Sequence, residues 1–155
     1  MKNKTHQLTL DVQFASAALA EKWDGQITKQ KLKKWVQAAL LEDAAITIRF
    51  VGRAEGRKLN AAYRQKDYAT NVLTFPYEEQ PGIDHLYADI IICPPVVEKE
   101  AKEQQKIFLQ HLAHLTIHGT LHAQGFDHED EIEAQAMEEL EVAILKKLKQ
   151  PNPYE

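Results

Sequence analysis

The chain has 155 residues, 44% of them hydrophobic and 27% charged, with a formal net charge of −4. That length suits one domain with one apolar core, and the composition is that of a folded globular chain, not a disordered or fibrous one. No run approaches the ~18 apolar residues of a membrane span, MKNKTHQLTL lacks a signal-peptide core, and the single cysteine, Cys93, excludes an internal disulfide; a cytoplasmic protein is expected.

Leu8, Leu10, Val12 and Phe14 alternate with Thr9, Asp11 and Gln13, the pattern of a half-buried strand. Thr28 suits the cap of a helix over about 29–42 that places Leu32, Trp35, Val36, Ala39 and Leu40 on one face. AITIRFV (45–51) reads as a second strand, and a shorter helix over about 54–65 carries Leu59, Ala62 and Tyr63. TNVLTF (70–75) is a third strand ended by Pro76; residues 77–86 form a loop turning at Pro81-Gly82. YADIIIC (87–93) is a fourth strand, stopped by Pro94-Pro95. Helices are predicted over about 96–105, 107–124 and 129–149. Asp127 is the expected N-cap of the last one, with acids in its first turn and Lys146, Lys147 and Lys149 at its end to complement the helix dipole. The order implies one α+β domain over residues 1–155, a small mixed sheet of about four strands packed with about five helices.

Charge is unevenly spread. Residues 111–145 carry eight acids and no lysine or arginine, whereas Arg49, Arg53, Arg57, Lys58, Arg64 and Lys66 cluster against Glu55 alone. Two solvated faces of opposite sign would give this pattern, and so would a basic patch that attracts phosphate. Tyr63, Tyr68, Phe75 and Tyr77 lie in or near that patch. They are expected to pack in the core and not to stack bases.

Residues 111–128 hold five of the seven histidines. On a helix, His114, His118 and His122 form one stripe with neighbours ~6 Å apart along the axis, so two can share an ion at ~2.0–2.1 Å per bond and three cannot. Gly125 is the natural left-handed residue to end the helix, after which the chain reverses and presents His128. His118 and His122 are nearest that turn, giving His118-x3-His122-x2-Gly125-x2-His128. Three neutral imidazoles leave one tetrahedral position of zinc for water, whose pKa zinc lowers to about 7. Metzincin peptidases share this spacing but carry a glutamate after the first histidine, where Gly119 stands here. A glycine within a helix costs ~1 kcal/mol against alanine, so a close approach of substrate, backbone or packing neighbour is expected there.

HGTLHAQGFDH (118–128) resembles the His-Gly-x-Leu-His-x-x-Gly-x-Asp-His signature of the YbeY family of bacterial endoribonucleases. LNAAYRQKDYATNVLTFPY (59–77), ADIIIC (88–93) and VVEKEA (96–101) resemble further blocks of that family, with Ala123 and Thr74 as small departures away from any ligand. The resemblance implies a zincin-like fold and one zinc on His118, His122 and His128. It also implies single-strand-specific RNA cleavage in maturation of the small-subunit rRNA 3′ end and in ribosome quality control. The family's arginine falls on Arg64, which would grip phosphate, though a surface ion pair is the alternative. His114 is a candidate to shuttle a proton or touch substrate, or else a buried imidazole. Asp89 interrupts an apolar strand and needs a partner, which a ligand or the fold could supply. Asp127 caps a helix or orients a histidine; Cys93 reads as core. The rival readings are a metal hydrolase of another substrate class, such as a peptidase, and a ribosome-associated factor with structural zinc. Gly119 speaks against the peptidase, and a structural zinc usually has four protein ligands where three are in view.

Overall fold

The computed structural model describes residues 5–64, 71–77, 82 and 85–155, without the side chain of Arg64. Strands β1 (Leu8–Phe14), β2 (Ala44–Phe50), β3 (Val72–Pro76) and β4 (Leu86–Ile92) make one sheet in the order β1-β2-β4-β3. β1, β2 and β4 run parallel, and β3 pairs antiparallel with β4 at the edge. The alternation read from the sequence sets the faces. Leu10, Ile46, Ile48, Phe50, Ile90 and Ile92 point into one core, while Asp11, Arg49 and Asp89 occupy the other face.

Among the described residues six helices are present where about five were expected: α1 (Ala17–Trp23), α2 (Lys29–Ala39), α3 (Arg53–Arg64), α4 (Pro94–Glu103), α5 (Phe108–Ala123) and α6 (Glu131–Lys147). The unforeseen one, α1, is seven residues long and buries only Trp23, so it leaves no apolar stripe to read; Ser16 Oγ caps it by accepting from Leu19 N–H at 3.2 Å. α4 begins at Pro94, two residues before the expected start. The prolines that stop β4 also open the helix, whose first turn needs no N–H donor. Asp127 does not cap α6. Asp130 does, its Oδ1 accepting from Glu133 N–H at 2.7 Å.

Trp23, Leu32, Trp35, Val36, Val97, Met137, Ile144 and Leu145 bring α1, α2, α4 and α6 onto the core face of the sheet; no described side chain of α3 joins that core. α5 runs through its middle. Ten of its sixteen residues are buried, and the hydroxyls of Thr116 and Thr120 satisfy themselves on the carbonyls of Leu112 and Thr116, both at 2.8 Å. Gly119 is where α5 meets the sheet. A Cβ there would stand 3.2 Å from Ile90 Cγ2 and 3.4 Å from Thr74 Oγ1 and Val72 Cγ2. Packing, not substrate access, therefore explains this glycine. Among the described residues, no helix is long and apolar enough to cross a membrane.

Candidate functional site

The close packing of α5 on β3 places the histidine stripe beside the open edge of the sheet. His118 and His122 project from the last two turns of α5. Gly125, at φ +101°, ends the helix as expected, with Gly125 N–H bonded to His122 O at 3.1 Å and Phe126 N–H to Leu121 O at 3.2 Å. The reversal brings His128 back over the helix. The ring centroids of His118, His122 and His128 form a near-equilateral triangle with sides of 5.5, 5.9 and 6.2 Å.

Fixed tautomers suit two of these rings to a metal. Glu141 Oε2 lies 2.7 Å from His118 Nδ1, and the carbonyl of Phe126 lies 2.7 Å from His122 Nδ1. A carboxylate and a carbonyl only accept, so each Nδ1 carries the proton and donates it. Each Nε2 keeps its lone pair for a ligand bond, the usual outer support of a metal-binding histidine. Burial alone would push Glu141 up. Hydrogen bonds from His114, His118 and Tyr154, with the charge on His114, outweigh it and hold the carboxyl at about 2. Glu141 is therefore an anion although it is fully buried. Bonds of ~2.0–2.1 Å to a tetrahedral ion would set the centroids ~5 Å apart. The triangle is slightly wider, and among the described residues no three such side chains already stand close enough to hold an ion as they are. The three imidazoles and the support of two of them are a donor set that suits a metal ion held by histidines.

The three imidazoles line a cleft of about 290 Å³ with Tyr63, Val72, Leu73, Thr74 and Phe75. Cys93 N–H donates to Asn71 O at 3.0 Å and Tyr77 N–H to Tyr87 O at 2.9 Å. This register turns the backbone of Asn71, Leu73, Phe75 and Tyr77 toward β4, leaving the N–H groups of Val72 and Thr74 facing outward along the cleft.

A family model described as Endoribonuclease YbeY matches residues 17–149. The chain belongs to the YbeY endoribonuclease family. It is 54% identical over 148 residues to the Endoribonuclease YbeY of Polynucleobacter asymbioticus, covering 96% of this chain and 94% of that protein. It is 50% identical over 153 residues to that of Paraburkholderia phymatum, covering 99% of both. The solution structure of TM1509 from Thermotoga maritima shares the fold, with a TM-score of 0.52 at 24% identity, covering 95% of this chain and 99% of that one.

The other expected site residues of this YbeY chain fall differently. His114 does not line the cleft. It sits a turn behind, its Nε2 2.8 Å from Glu141 Oε1 and 3.2 Å from the Tyr154 hydroxyl. Arg64 closes α3, and its side chain, like Lys66 and Tyr68, lies outside the described residues. Asp127 Oδ1 accepts the backbone N–H of His128 at 2.7 Å. Asp89 is partnered by the Tyr77 hydroxyl on the far face of the sheet, away from the histidine triangle. Cys93 is core, and burial pushes its thiol up.

One expectation about packing was wrong. Tyr63 and Tyr77 are exposed and not part of the core, because α3 and the end of β3 stand outside it. A solvated acidic face was one of the two readings of the charge pattern; Glu141 departs from it, as the best-buried acid among the described residues. A signal for it existed: Glu141 falls four residues after Met137 and three and four before Ile144 and Leu145, on the apolar stripe of α6. Tyr154, which donates to Glu141, lies beyond the matched blocks and left no such trace.

Proposed function

We propose that the chain is a zinc-dependent, single-strand-specific endoribonuclease, acting in the cytoplasm on the 3′ end of the small-subunit rRNA and in ribosome quality control. The observation that carries this reading is the triangle of His118, His122 and His128 over one cleft, in a chain about half identical to curated endoribonucleases. When bound, zinc would supply a Lewis acid and a water of lowered pKa.

The chain's own residues would do the rest. Glu141 and the Phe126 carbonyl hold two imidazoles in the ligand tautomer. The outward N–H groups of Val72 and Thr74 are fixed donors for phosphoryl oxygens as charge grows on them. Arg64 would add a two-pronged grip on phosphate. His114 serves as a positioning residue that anchors Glu141. The peptidase alternative lacks its usual base: Gly119 follows His118, and even a Cβ there would stand 3.2 Å from Ile90 Cγ2 and 3.4 Å from Thr74 Oγ1 and Val72 Cγ2. Incubation of the zinc-loaded protein with single-stranded RNA, duplex RNA and a peptide, with and without chelator and alongside His122→Ala, tests the proposal. It predicts cleavage of single strands alone, lost with chelator and in the variant. Cleavage by His122→Ala at the wild-type rate would overturn it.

A further inference from the structure

Tyr63 is a large aromatic ring held in solvent. It is 67% exposed at the penultimate position of α3, where a charged residue would be less costly to hydrate. It is not loose. Its ring meets that of Phe75 edge-on, centroids 5.0 Å apart and planes at 67°. Such a contact restrains the ring while leaving much of its surface uncovered. Both rings line the cleft that holds His118, His122 and His128.

We infer that Tyr63, braced by Phe75, is the stacking platform for one unpaired nucleobase of the RNA whose phosphate lies at the three imidazoles. The inference rests on the endoribonuclease reading and adds to it a base-binding subsite. Every base has a π face, so the platform accepts any sequence and takes its selectivity from strandedness. A base within a duplex is already stacked and cannot turn onto the ring, whereas a splayed single strand offers its bases freely. The wall opposite the imidazoles is the edge of β3, whose outward N–H groups suit phosphate. The cleft thus pairs a polar wall for the backbone with an aromatic end for the base.

The test is binding of the zinc-loaded protein to short 2′-O-methyl oligoribonucleotides that carry 2-aminopurine, or an abasic residue, at successive positions. Wild type should quench 2-aminopurine most at one position. An abasic residue there should weaken binding about 5- to 150-fold, the range a stacked base supplies. Tyr63→Ala should lose both the quench and the discrimination, and Tyr63→Trp should keep both. Equal binding of intact and abasic strands by wild type, or undiminished discrimination in Tyr63→Ala, overturns the subsite and leaves the nuclease reading standing. Wild-type protein that neither binds nor cleaves RNA overturns that reading, and this inference with it.

Discussion

Glu141 Oε2 lies 2.7 Å from Nδ1 of His118, and this buried carboxylate reaches across from α6 to fix a ring on α5. Its other oxygen receives His114 Nε2 and the Tyr154 hydroxyl, so it is fully partnered where water cannot reach. Glu141→Gln keeps the volume but removes the anion that fixes the His118 tautomer. Loss of such a support typically weakens metal binding 10- to 100-fold. Zinc titration against a chromophoric chelator should show that loss. Unchanged affinity would mean that His118 needs no help from α6.

Gly119 tests the contact that sets the cleft. Alanine would gain ~1 kcal/mol of helix propensity, but its Cβ must fit 3.2 Å from Ile90 Cγ2 in a fully buried central strand. Overpacking of that kind costs ~1–3 kcal/mol, so Gly119→Ala should be destabilised by about 1 kcal/mol net in urea unfolding. A more stable variant would show that α5 can lift off β3 freely.

Asp130 and Asp127 should separate cleanly. Asp130→Ala removes the α6 cap and should cost about 1 kcal/mol in urea unfolding. Asp127→Ala leaves that cap intact and frees the backbone of His128 instead, so it should cost less stability while weakening zinc binding. The reverse pattern would contradict the assignment of the cap.

Glu100 gives a pH signature away from the histidine triangle. Burial pushes its carboxyl up, but hydrogen bonds from His111 and Asn71 and the charges of His111 and Lys106 bring it below its ordinary 4.5. A lowered folded pKa gives stability that is present above about 4.5 and is lost as pH falls through the folded value. Melting curves of wild type and Glu100→Gln should therefore differ at neutral pH and converge only as pH falls through the lowered folded value, below 4.5. A gap that widens on acidification would reverse the sign of this linkage.

The sheet was legible because its strands alternate and end at prolines or turns. The expected bounds of β2 and β4 are one residue late at both ends, and the sense of each pairing needed the structure. The histidine triangle was legible because i, i+4 spacing and a left-handed glycine are both local facts. Glu141, Tyr154 and the orientation of Gly119 were not read because each depends on another element crossing α5. Tyr63 was misplaced for a related reason: its helix carries an apolar pattern, but no described side chain of α3 enters the main core. Periodicity shows which residues share a face, not whether that face is covered.

Zinc content after metal loading and desalting measures the central claim most directly. The wild-type chain should retain about one zinc, and His118→Ala, His122→Ala and His128→Ala should each lose it, since a three-ligand site does not survive on two. Full retention of zinc by all three folded variants would place the ion elsewhere and contradict the account.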